Sequence, residues 1–259
     1  MKILFIGDIV GRPGREAVRK WTPVLRERHG IDIVVANAEN CAGGLGATPE
    51  LLQELKAAGV DGFTMGNHTW RKKALISALE NMPELIRPAN YPAGVPGRGS
   101  MVLQTPNGVR LGVINLLGRV YMDAFGCPFA CVDSELARLR DQAQVVLVDM
   151  HAETTSEKVA MGWHLDGRCA VMVGTHTHIP TADAWVMPKG TGFICDVGMC
   201  GPYHSVIGSD IKHVLLKFRT GMPHPFEVAN GPAIFCAVVI DADERTGKAR
   251  GLEQIVIRD

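Results

Sequence analysis

Gly174-Thr175-His176-Thr177-His178 places two imidazoles two positions apart at the end of a hydrophobic run. Neutral imidazoles side by side suit zinc, iron or manganese. Four more hydrophobic runs end in residues that bind metal or move protons: Asp8, Glu39 with Asn40, Asn67 with His68, and His151. A strand delivers its C-terminal residue to the rim of a sheet, so five adjacent strands would gather these groups in one cleft. In an extended segment His176 and His178 share one side, and Gly174 permits a sharp bend into the site. Each motif alone has an ordinary reading, as packed histidines, a helix-capping asparagine or a solvated acid. Their recurrence after five runs carries the functional one.

The groups differ in what they offer. The Asn67 amide oxygen is a neutral ligand, whereas His68 has the proton affinity for transfer near neutral pH. A carboxylate such as Glu39 can bridge two ions, and burying it behind an apolar strand without a cation would cost several kcal/mol, on the order of an unpaired desolvated charge. Glu153 is positioned in sequence to orient His151. Gly11 and Gly14 after Asp8 would keep the next turns open for a ligand, which leaves a dinucleotide or phosphate loop as a weaker alternative. Neither GxGxxG nor GxxxxGK[ST] is present.

The elements that must position these groups read as alternating α/β units. Lys2 to Ile6 and Ile31 to Ala36 are strands around a helix over Arg15 to His29, made imperfect by Pro23. Thr48 caps a helix with Pro49 in its first turn and Leu51 to Ala58 in its body, Gly59 stops it, and Gly62 to Met65 enters a strand. Arg87 to Gly99 is a loop rich in proline and glycine. Asn107-Gly108 then turns an antiparallel hairpin of Met101 to Thr105 with Val109 to Leu116. Helices over Asp133 to Asp141 and Thr155 to Trp163 alternate with strands Val145 to Val148 and Ala170 to Val173. Short strands follow at Ala184 to Met187, Phe193 to Cys195, Ala233 to Ile240 and Glu253 to Ile257, with a helix over Ile211 to Phe218. The expected architecture is a four-layer α/β/β/α sandwich of two mixed sheets flanked by helices, forming a single domain over residues 1–259.

Composition narrows the partners. Lys plus Arg and Asp plus Glu are equal at 27 each, so no global field would hold nucleic acid backbones or an acidic membrane. No apolar run reaches membrane-spanning length, and the start is too short for a signal-peptide core. Seven scattered cysteines without CxxC pairing fit reduced thiols and a cytoplasmic setting. Apolar residues in the loops from Tyr91 to Val95 and Val120 to Phe129 could meet a second copy, making a homo-oligomer.

Gly7-Asp8-Ile9-Val10-Gly11 with Gly14-Arg15, Asn37-Ala38-Glu39-Asn40, Gly66-Asn67-His68, His151-Ala152-Glu153 with Ser156-Glu157-Lys158, and Gly174 to His178 resemble the calcineurin-like metallophosphoesterases, and among them the bacterial YmdB-type phosphodiesterases. Asp196-Val197-Gly198-Met199 and Gly201-Pro202-Tyr203 also look like that branch, so the resemblance spans essentially the whole chain. The broader superfamily has a histidine two residues after the first aspartate and an aspartate bridge, where this chain has Val10 and Glu39.

The resemblance implies a dinuclear centre, with Asp8, Glu39, Asn40 and His178 around one ion and Glu39, Asn67, His151 and His176 around the other. Asn40 would replace the missing imidazole, and His68 would be the catalytic general acid. The ions implied are iron or manganese, with zinc possible. The substrate implied is a small phosphodiester, 2′,3′-cyclic nucleotides favoured. A phosphomonoesterase and a non-catalytic metal- or nucleotide-binding regulator are the other readings. Arg12, Arg15 and Tyr203 are candidate recognition groups with ordinary surface or packing alternatives.

Overall fold

The computed structural model describes residues 1–123 and 125–259; Ala124, within the loop from Val120 to Phe129 considered above, lies outside the described residues. Strands and helices are numbered in chain order. In the first sheet β1 (Lys2–Ile6), β3 (Ile33–Asn37) and β4 (Gly62–Thr64) run parallel. Its order is β2-β11-β12-β1-β3-β4, where β2 is Asp8–Ile9, β11 Met199–Pro202 and β12 Ala233–Asp243, and β13 (Lys248–Arg258) pairs with β12. The second sheet has the order β5-β6-β7-β8-β10-β9. Its strands are β5 (Ser100–Gln104), β6 (Arg110–Leu117), β7 (Val145–His151), β8 (Val171–Thr175), β9 (Trp185–Val186) and β10 (Gly192–Ile194).

Side-chain alternation along these strands builds the layers. Ile3 and Phe5, Ile33 and Val35, Leu111 and Val113, Val145 and Leu147, and Val171 and Val173 fill the space between the sheets. Leu4, Ile6, Val34 and Ala36 point the other way, under α1 (Gly11–His29), α2 (Pro49–Ala57) and α3 (Ala74–Asn81). Ile114, Leu116, Val148 and Met150 lie on the far side of the second sheet, under α4 (Pro128–Leu139) and α5 (Thr155–Leu165). The result is the expected α/β/β/α arrangement. The remaining helix, α6 (Ile211–Thr220), buries only Val214 and lies over the loops at the strands' C-terminal ends. No helix among the described residues is long and apolar enough to cross a membrane.

Three expectations change. The site residues follow strands of two facing sheets rather than five neighbours in one: β1, β3 and β4 on one side, β7 and β8 on the other. Helix α1 begins at Gly11, whose φ of 58° is left-handed at the helix entry, and Gly14 lies in its first turn, so neither belongs to an open ligand loop. A Cβ at Gly14 would sit 2.2 Å from the Cys200 carbonyl oxygen, and the Gly11 amide already donates to the Asn40 carbonyl at 2.9 Å. Gly14 lets α1 approach β11 and Gly11 ties the helix entry to Asn40, which removes the basis for a phosphate loop. Tyr91 is buried rather than presented to a second copy, with its ring between Trp70 and Phe125 and its hydroxyl donating to the Gly66 carbonyl at 3.2 Å.

Candidate metal centre

The inter-sheet layer is apolar along most of its length and turns polar at the C-terminal ends of the parallel strands. Continuing the alternation from Val35 gives Asn37, from Val113 gives Asn115, from Leu147 gives Asp149 and His151, and from Val173 gives Thr175. All of these are buried. Immediately beyond them β2 brings in Asp8, and the loops bring in Glu39, Asn40, Asn67, His68, His176 and His178.

His151 Nε2 is the point of convergence. Glu39 Oε1, Asn67 Oδ1 and His176 Nδ1 each lie 3.1 Å from it. The tautomer of His151 follows from its support. Thr175 gives its single hydroxyl proton to Asp149 Oδ1 at 2.7 Å, so its oxygen accepts from His151 Nδ1 at 2.9 Å. Asn37 Nδ2 is farther from Nδ1, at 3.4 Å, and its two protons have acceptors in the Met65 carbonyl and Asp149 Oδ2. The Nε2 lone pair is thereby aimed at the cluster, as a metal-ligating imidazole requires. Glu153, expected behind His151, instead contacts His176 Nε2 at 3.0 Å. The supporting role belongs to Thr175 and Asp149, which β8 and β7 hold directly behind the ring.

A second group adjoins the first. His178 Nδ1 donates to the Ile207 carbonyl at 2.8 Å, which leaves Nε2 as the lone-pair atom, 3.1 Å from Asn40 Nδ2 and 3.9 Å from Asp8 Oδ1. Asp8 is fully buried; its Oδ2 accepts the His176 amide at 3.1 Å, while Oδ1 has no hydrogen-bond partner. An orphaned buried carboxylate oxygen costs more than the roughly 1–3 kcal/mol of a neutral unsatisfied group. Asn40 turns its oxygen toward His68 Nδ1, at 2.7 Å, and its nitrogen toward His178; rotating the amide by half a turn exchanges them. Glu39 touches both groups, since Oε1 also lies 3.3 Å from Asn40 Nδ2.

Burial and charge are balanced across the cluster. Desolvation raises the Asp8 carboxyl above its ordinary value, against the lowering influence of His178 and His151. Desolvation acts likewise on Glu39, but the charges and hydrogen bonds of His151 and His68 outweigh it and hold the carboxyl well below the usual range. Desolvation disfavours charge on His151, yet Glu39, Asp8 and Asp149 raise it to about 9. His176 is lowered to about 3, first by desolvation and then by the charge on His151. Without a cation His151 thus holds an extra proton at Nε2, which a bound ion would displace, while His176 stays neutral.

The residues fit cations. Asp8 Oδ1 lacks a partner, the His151 and His178 Nε2 lone pairs from the second sheet face the carboxylates of the first, and a Cβ at Gly66 would stand 2.3 Å from Glu39 Oε2 and from His151 Nε2. Only glycine leaves that cradle open. The ligand atoms of Glu39, His151 and His176 lie within 4.8 Å of one another.

Residues 4–255 match the family described as YmdB-like protein. The chain belongs to the YmdB-like family. It is 44% identical to the 2′,3′-cyclic-nucleotide 2′-phosphodiesterase of Bacillus subtilis over 259 residues, 100% of this chain and 98% of that one. The crystal structure of a Thermus thermophilus protein matches with a TM-score of 0.94 and 41% identity, covering 100% of both chains. The structure titled as a novel phosphatase from Mycoplasma pneumoniae matches with a TM-score of 0.93 and 35% identity, covering 100% of this chain and 93% of that one.

In this YmdB-like chain all eight residues singled out from the sequence come together, but the His176 and His178 backbone does not follow the expected extended path. Their φ angles are 101° and 67°, in the left-handed region, so turns rather than strand alternation aim the two rings. The turn is anchored by Asp196, which accepts from the Thr177 amide at 3.1 Å and its hydroxyl at 2.7 Å. Asp196 is in turn paired at 2.7 Å with Lys158, and both are buried. Its neighbour Glu157 accepts the amides of Arg119 and Val120, so the Glu157-Lys158 pair pins two loops. Among the recognition candidates, Arg12 pairs with Glu16, Arg15 donates to the Cys41 carbonyl at 2.7 Å, and Tyr203 lies under Arg258.

Proposed function

We propose that this chain is a metal-dependent phosphodiesterase acting on small cyclic phosphodiesters, 2′,3′-cyclic nucleotides above all. The observation that carries the reading is the meeting of carboxylate, amide and imidazole donors at His151 Nε2, at 3.1 Å each, beside the unpartnered Asp8 oxygen. The identity with the Bacillus subtilis enzyme along the full chain supports the substrate class.

Asp8, Glu39, Asn40 and His178 would hold one ion and Glu39, Asn67, His151 and His176 the other, with Glu39 common to both. The mixed oxygen and nitrogen donors suit manganese or iron, and zinc is chemically admissible. When bound, such a pair supplies a nucleophile from water at neutral pH and neutralises charge on phosphoryl oxygens. The protein's part is orientation and proton supply. Thr175 and the Ile207 carbonyl fix the His151 and His178 tautomers, and the Glu39 carboxylate stays ionised. His68 lines the cavity over the cluster and is hydrogen-bonded through Nδ1 to Asn40, which leaves its other nitrogen to protonate the departing ester oxygen.

The test is a panel of 2′,3′-cyclic AMP, bis-p-nitrophenyl phosphate and p-nitrophenyl phosphate, assayed with manganese and after chelation. Metal-dependent diester cleavage without monoester cleavage is expected. Preferential monoester cleavage would make the protein a phosphatase, and binding without turnover a regulator.

A further inference from the structure

The reacting groups line part of a cavity of about 490 Å³, in the range of small-molecule sites (about 300–1,000 Å³). The rest of its lining has a different chemistry. Leu45, Ile207, Phe218, Phe226 and Val228 line it, Phe218 joining Val214 four residues earlier on the cavity side of α6. Phe218 is 78% exposed and Phe226 46%, a large aromatic surface left bare beside a polar centre. Among the described residues no lysine or arginine lines the cavity, whereas Glu153 and Glu227 do. A nearby cation, Lys217, lies over the Phe226 ring at 4.5 Å from its centroid and thereby steadies it.

We infer that this apolar part of the lining is a nucleobase site, with Phe218 and Phe226 as stacking groups, and that it selects cyclic nucleotides bearing a single phosphate. The inference rests on the phosphodiesterase reading for the placement of the phosphate at the reacting groups. A base is flat, uncharged and π-faced, and stacks on aromatic side chains regardless of its identity. A second phosphate on the ribose would enter a lining that holds the carboxylates of Glu153 and Glu227 and, among the described residues, no lysine or arginine. The site therefore tolerates many bases and disfavours added negative charge.

The test uses the full-length, manganese-loaded protein and three cyclic phosphodiesters: adenosine 2′,3′-cyclic phosphate, its 5′-phosphorylated form, and glycerol 1,2-cyclic phosphate, which has no base. In the double variant Phe218→Ala, Phe226→Ala the ratio of kcat/KM for the adenosine compound to that for the glycerol compound should fall about tenfold or more, the scale of a lost base–aromatic stack. Adenosine should bind the wild type in calorimetry and not the double variant. The 5′-phosphate should lower kcat/KM, and Glu227→Gln should recover part of that loss. Equal losses on the adenosine and glycerol compounds would overturn the inference, as would preference for the 5′-phosphorylated substrate. A fall in oligomeric mass of the double variant, by sedimentation, would make the aromatic face a contact between copies and also overturn it. If the wild type cleaves none of the three compounds, the phosphodiesterase reading fails, while adenosine binding lost in the double variant still decides the base site.

Discussion

His68 and His151 are both imidazoles at strand ends, yet their surroundings assign them different work. His68 lies at the cavity wall with one nitrogen on Asn40, so His68→Ala should lower turnover by about a hundredfold to ten-thousandfold while metal content, read by elemental analysis, stays at the wild-type level. Loss of the metals in that variant would make His68 structural. His151 is buried between acids, and its affinity for a proton is raised from 6.5 to about 9 by Glu39, Asp8 and Asp149 despite desolvation. A raised value of this kind stabilises the metal-free fold fully below about pH 6.5 and loses that contribution as pH rises through about 9. Metal must displace the same proton. Loading at about pH 7.5 should release close to one proton per protein from this ring, and affinity should climb with pH up to about 9. Titration calorimetry in buffers of different ionisation enthalpy measures the release; uptake with no proton exchange would contradict the assignment.

At the scale of elements, the site depends on close approaches that a single methyl or a single missing charge disrupts. Gly66→Ala would drive a Cβ to 2.3 Å from His151 Nε2 and Glu39 Oε2, so metal binding should be abolished while far-ultraviolet circular dichroism keeps its wild-type shape. Lys158→Met would leave Asp196 buried without its cation, a change expected to cost about 3–5 kcal/mol in urea unfolding of the metal-free protein. A cost under about 1 kcal/mol would show that Asp196 finds another partner. Much of this framework was legible in the sequence, because β1, β3, β4, β7 and β8 are short, largely apolar runs and each donor falls at or shortly after one. Asn107-Gly108 likewise marked the β5–β6 hairpin. Helix α3 was not legible, since Lys73 precedes it with no side-chain cap and its first turn carries no acid. Helix α4 starts at Pro128, well before the Asp133 expected, and its N-cap residue Cys127 makes no side-chain cap hydrogen bond. The sequence also concealed the left-handed turns at His176 and His178, because histidine marks that backbone far more weakly than glycine does. Asp149 could have been found: two positions before His151 in a strand, it must share the ring's face.

Across the whole molecule, the donors are divided between sheets. Asp8, Glu39, Asn40 and Asn67 follow strands of the first sheet, while His151, His176 and His178 come from the second. Cations held by both would act on the native state and not on the unfolded chain. Stripping them with a chelator should therefore lower the Tm reversibly, and at a hundredfold excess over Kd each bound site would account for about 2.7 kcal/mol. A Tm indifferent to chelation would show that the native state holds no ions in preference to the unfolded chain. The same division governs how ions leave. A cation gripped from both layers would be released only when donors on both sides let go, and the buried Asp149 network, which ties β7 to β3, β4, β6 and β8, resists their separation. Exchange of ions would then run at the slow pace of breathing between the layers, and the element found in the protein would record which one was at hand when the chain folded rather than which one binds best.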